Sequence, residues 1–101
     1  MSIRVIQSTT IVGGLELTCY TLVAKKYELY ETEDTITLQL YSYFDVDATI
    51  AANTAGEYTG ACSHTTITVA KTHSTTTFNA QDYVTEALAT EIGGTLETIG
   101  S

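Results

Sequence analysis

The stretch from Leu15 to Phe44 alternates with a period of two, and this constrains the fold more than anything else in the chain. Leu15, Leu17, Cys19, Thr21 and Val23 fall on one side, followed by Lys25, Tyr27 and Leu29. The pattern breaks at Glu31-Thr32-Glu33-Asp34 and resumes as Ile36, Leu38, Leu40, Ser42 and Phe44. Side chains in a strand point to alternate faces, so this pattern predicts two long antiparallel strands, 15–44, joined by an acidic tip. Thr35, Thr37, Gln39, Tyr41 and Tyr43 are then expected on the outward face.

The remainder is read around that hairpin. Ser2–Gln7 is extended, and Ile11-Val12 leads into Gly13-Gly14. Two alternatives stand for residues 1–14: an ordinary first strand and turn, or an extended N-terminal arm that swings out to a neighbour. Residues 48–55 are Ala-rich and suit a helical turn capped by Asp47. Ile67 and Val69 alternate with Thr and predict a strand over 63–71, and Thr75–Phe78 a further one. Tyr83, Val84, Ala87, Leu88 and Ile92 approximate one helical face. A helix is therefore expected over 80–92, capped by Asn79 and ended by Gly93-Gly94. The tail from Leu96 suits a last strand. The fold class is mainly β (α+β): one domain over 1–101, an antiparallel sheet, sandwich or barrel with one C-terminal helix.

Composition narrows the function. Only 16% of residues are charged, and 21 threonines supply the polar surface instead. Threonine is β-branched and stiff, which suits a pleated sheet. The net charge is −8. Phosphate binding needs a basic stripe, and Lys25-Lys26 is the only adjacent basic pair, so nucleic acid and anionic membrane are disfavoured as partners. The segment Met1–Ile6 lacks the pattern of a signal peptide, so folding in the cytoplasm is the expectation, with Cys19 and Cys62 as reduced thiols.

No spacing commits to catalysis or to a cofactor. Cys62, His64 and His73 with Cys19 match a zinc ligand set in kind, but Cys-x-His lacks the usual knuckle spacing. A Cys–His nucleophile pair has no local signature here. Asp45-x-Asp47 fails as an EF-hand, because Ile50 stands at the position of the turn glycine. A looser calcium cage at Asp45 and Asp47 stays open as an alternative. Gly13-Gly14 and Gly93-Gly94 are isolated pairs, not a phosphate loop. Enzyme activity, metals and cofactors are accordingly not expected.

What remains is surface. Tyr27, Tyr30, Tyr41 and Tyr43 line the hairpin, and Glu31, Glu33 and Asp34 form its tip. Tyrosine tolerates interfaces because its ring is apolar and its tip polar. These seven, with Ile3, Val5 and Ile11 of the first segment, are the candidate subunit contacts. Recognition of a protein or carbohydrate through the tyrosine face is the alternative.

A Thr- and Ala-rich, acidic chain without Pro or Trp, with an N-terminal arm, a long hairpin and one short helix, resembles the small virion structural proteins of tailed bacteriophages. Those are head decoration, head–tail connector and tail proteins. The resemblance implies a non-enzymatic role, assembly into a ring or lattice, and copies of itself and other virion proteins as partners. It also implies location in the virion after synthesis in the host cytoplasm.

Overall fold

A computed structural model describes residues 2–24, 32–71 and 80–100. Within these, β1 (Ser2–Val12), β2 (Leu15–Val23), β3 (Thr35–Tyr43), α1 (Val46–Ala55), β4 (Ser63–Ala70), a 3₁₀ turn (Ala80–Tyr83), α2 (Glu86–Ile92) and β5 (Thr95–Gly100) follow in order. The strands form one antiparallel sheet in the order β4-β3-β2-β1-β5. This is the α+β, mainly β class that the period-2 pattern predicts. The expected strand at Thr75–Phe78 and the cap at Asn79 lie outside the described residues.

β2 and β3 pair antiparallel, from Tyr20 opposite Tyr43 to Val23 opposite Leu40. The longer ladder is β1 with β2, from Ile6 opposite Thr21 to Val12 opposite Leu15. Gly13 and Gly14 close it with φ of 59° and 83°. Positive φ at both central residues is what a two-residue primed turn requires, and it matches the twist of the flanking strands. Of the two alternatives for residues 1–14, the structure therefore has the ordinary strand and turn. Ser2–Gln7 of β1 pair with β5 throughout, and Ile6 and Gln7 pair with β2 as well.

Both faces of the sheet are covered, which the alternation alone did not predict. On one face Ile6, Val23, Ile36, Leu38 and Leu40 lie under Tyr83, Val84, Leu88 and Ala89. On the other, Ile3, Val5, Leu22, Tyr43 and Ile99 lie under Ala52 of α1. We call these the α2 face and the α1 face. Ile36, Leu38 and Leu40 are core residues as expected. Phe44, expected beside them, is 39% exposed because it follows the end of β3 and α2 does not reach it.

Both helices start away from their expected caps. α1 is capped by Asp45, whose Oδ2 accepts from the Ala48 amide at 2.9 Å, so Asp47 falls in the first turn. Thr49 is fully buried in α1 but satisfied, its Oγ1 donating to the Asp45 carbonyl at 2.7 Å. The expected helix over 80–92 divides into the 3₁₀ turn and α2. Thr85 is extended and caps α2, with Oγ1 accepting from the Leu88 amide at 3.2 Å. That cap ends the helix at its N-terminus and resets its face, so Leu88 and Ala89 are buried and Ala87 is exposed.

Candidate functional site

The β1–β2 hairpin outruns the rest of the sheet. β5 stops pairing with β1 at Gln7 opposite Thr95, and β3 stops pairing with β2 at Tyr43 opposite Tyr20. Among the described residues, 8–12 and 15–19 pair only with each other. A two-stranded ribbon with open edges is marginal in water and offers unpaired backbone groups to a neighbour.

Register assigns its side chains. Ser8 lies opposite Cys19, Thr10 opposite Leu17 and Val12 opposite Leu15, all on the α2 face. Thr9, Ile11, Glu16 and Thr18 fall on the reverse face. α2 ends at Ile92 and covers none of the distal half. Ile11 is 74% exposed, Val12 52% and Leu15 67%; with Phe44 they are the exposed large hydrophobics of the described chain. Where α2 stops, a trough of about 430 Å³ opens onto Ser8, Thr10, Cys19, Thr21, Ser42 and Phe44. Thr21 and Ser42 share a buried hydrogen bond of 2.8 Å on its floor.

One feature of the chain's electrostatics coincides with this surface. From Val5 to Ala24 the only charged residue is Glu16, in a chain of net charge −8. Glu16 lies on the reverse face.

The candidate contacts named from the sequence are placed differently from one another. Ile11 is on the exposed ribbon. Ile3 and Val5 are 4% and 0% exposed, packed under α1 in the chain's own core, so neither offers a surface. Tyr43, expected outward, is buried on the α1 face, and its hydroxyl donates to the Thr59 carbonyl at 3.1 Å. Burial pushes its pKa up, with Tyr58, Tyr41 and Cys62 nearby adding to the rise. Tyr41 is half-buried, with Tyr58 stacked on it at 4.7 Å between ring centroids and His64 at 4.5 Å. A sugar-binding platform needs an open ring face, and Tyr41 has rings stacked against it from its own chain. Glu33 and Asp34 are exposed in a turn organised by Thr32, whose Oγ1 accepts from the Thr35 amide at 2.9 Å. Tyr27, Tyr30 and Glu31 lie outside the described residues.

Among the described residues the chemistry-bearing side chains do not converge. His64 is committed to its stack on Tyr41 and Asp45 to its helix cap. Cys19 and Cys62 are free thiols on the rim of one trough. They sit on β2 and just before β4, with β3 between, so their backbones are two strand spacings, roughly 10 Å, apart. A disulfide spans less than that. Among the described residues no three His, Cys, Asp or Glu side chains form a metal-holding group. His73 lies outside them.

Sequence reasoning missed Val12, Leu15 and Phe44 as surface residues, because period-2 alternation reads the same for a covered and a bare strand. Two signals were available: the run 5–24, whose only charge is Glu16, and the spacing of Val12 and Leu15 across two glycines. Comparison with known proteins adds no relative: no protein-family model, no curated protein and no solved structure matches this chain.

Proposed function

We propose that this chain is a non-enzymatic structural protein of the tailed-phage virion type, a head decoration, head–tail connector or tail component, which self-assembles into a ring or lattice. The observation that carries this reading is the projecting hairpin. The exposed large apolar side chains of the described chain are Ile11, Val12 and Leu15 on that ribbon and Phe44 after β3, and among the described residues the ribbon's edges are unpaired. A monomer that worked alone would gain by charging or shortening such a ribbon; an assembling subunit needs it open. The acidic remainder keeps copies apart until their hairpins meet and disfavours direct contact with nucleic acid. Its partners are other copies and other virion proteins, and its place of action is the virion.

The test is light scattering on the purified chain, alone and mixed with the products of the neighbouring genes. A defined multimer in either sample is expected. A strict monomer in both overturns the reading.

A further inference from the structure

We infer that the hollow where α2 ends binds a neutral polyol about the size of one sugar ring, through the hydroxyls of Ser8, Thr21, Ser42, Ser63 and Thr65. The site lies within one chain, away from the tyrosines, and does not depend on assembly.

The site is built by four adjacent strands. On the α2 face each changes from apolar to hydroxyl as it leaves the cover of α2: Ile6 to Ser8, Val23 to Thr21, Leu40 to Ser42, and Ile67 to Thr65 and Ser63. Register brings these hydroxyls together. Thr21 lies opposite Ser42 and Ser42 opposite Ser63, with Thr65 beside them opposite Leu40. A hollow of about 170 Å³ lies among them, walled by Ile6, Leu40 and Ile92. It opens into the trough of about 430 Å³, since Ser8, Thr21, Ser42 and Ser63 line both. The trough is within the usual size of small-molecule sites, roughly 300–1,000 Å³. Its floor has an O–H to spare. Thr21 and Ser42 are each 8% exposed and are bonded to each other at 2.8 Å. Two hydroxyls carry two O–H donors, and their mutual bond uses one. Among the described residues neither side chain has another hydrogen-bond partner, so the second donor is left for whatever fills the hollow.

The chemistry of the lining selects the occupant. None of the residues lining the hollow or the trough is charged. A carboxylate or phosphate needs a cation or free backbone amides. Here the strands spend their amides in the ladders, and α2 presents its C-terminal end, which disfavours anions. An ammonium group needs a carboxylate, and none lines the site. Serine and threonine hydroxyls donate and accept at once, so their match is another set of hydroxyls. Water meets that condition too, but the walls separate the two. Ile6, Leu40 and Ile92 in the hollow, and the Phe44 ring beside the trough, favour an occupant that carries C–H groups as well. A sugar ring has both, with hydroxyls on its rim and C–H groups on its faces.

The test is NMR titration of the isotope-labelled full chain with glucose, galactose and mannose, and with glucuronate and glucosamine as charged counterparts. At least one neutral sugar, added up to roughly 100 mM, is expected to give saturable shifts at the amides of 19–21, 40–44 and 63–65, as a millimolar site does. The charged counterparts are expected to bind at least about threefold more weakly, since the site gives their charge no partner. Ser42→Ala is expected to weaken binding by at least about fivefold, and Thr18→Ala, on the reverse face, by less than about twofold. Ser63→Ala, on an exposed side chain, is expected to weaken binding too, which keeps the test valid should Ser42→Ala disturb the core. No saturable shift with any of the three neutral sugars assigns the hollow to water and overturns the inference. Saturable shifts elsewhere, or shifts that Ser42→Ala and Ser63→Ala both leave unchanged, overturn the site. Equal or tighter binding of glucuronate or glucosamine overturns the ligand class.

Discussion

Val12 and Leu15 face each other across the Gly13-Gly14 turn, and each keeps more than half of its surface in solvent. They are cross-strand partners at the end of the ribbon. Replacing both with threonine keeps the β-branched or strand-compatible shape and removes apolar surface that the folded chain does not use. Urea unfolding of the Val12→Thr, Leu15→Thr variant is expected to stay within about 0.5 kcal/mol of wild type under dilute conditions. A loss of several kcal/mol would mean the pair belongs to the core.

Tyr43 gives a prediction with a pH sign. Its pKa is raised in the folded chain, so the folded state favours the protonated phenol. The resulting stabilisation is complete below the unfolded value of about 10 and is lost as pH rises through the folded value. Tyr43→Phe removes the bond to the Thr59 carbonyl and is expected to cost about 1 kcal/mol at neutral pH. It should also flatten the loss of stability on the alkaline side, measured by denaturant unfolding from about pH 8 to pH 11.

Asp45 and Asp47 should behave differently despite their shared motif. Asp45 caps α1 through its Oδ2, whereas Asp47 is an exposed first-turn residue. Asp45→Ala is expected to cost about 1 kcal/mol and Asp47→Ala less than about half of that, by thermal unfolding.

Gly94 sits against β1. A Cβ there would lie 2.7 Å from Ile6 Cγ2 and 2.8 Å from the Gln7 carbonyl oxygen. The backbone of a central strand cannot yield as a side chain tip does, so Gly94→Ala is expected to destabilise by about 1–3 kcal/mol in the same assay. Gly93, by contrast, ends α2 with a φ of 85°, and there the constraint is conformational.

The legible and illegible parts of the fold divide along one physical line. The β2–β3 pairing, the core at Ile36, Leu38 and Leu40, and the end of the last helix at Gly93 all follow from local pattern. What covers each face does not. Tyr41 and Tyr43 read as outward because alternation with Leu40 puts them opposite the core, but α1 and the segment after it make that side a second core. The helix over 80–92 read as continuous because Tyr83, Val84 and Leu88 keep a helical spacing across the break at Thr85. The exposed hairpin end went unseen for the complementary reason: Leu15 continues the alternation of a buried strand, and α2, which ends at Ile92, leaves it exposed.

Hydrogen exchange read residue by residue at low and high protein concentration tests the central claim most directly. Amides of 8–12 and 15–19 should exchange quickly in dilute protein, since the ribbon is a marginal element by itself. At high concentration their exchange should slow, while that of the covered strands, such as Ile36–Leu40, stays unchanged. Hairpin exchange that is the same at both concentrations would contradict the account.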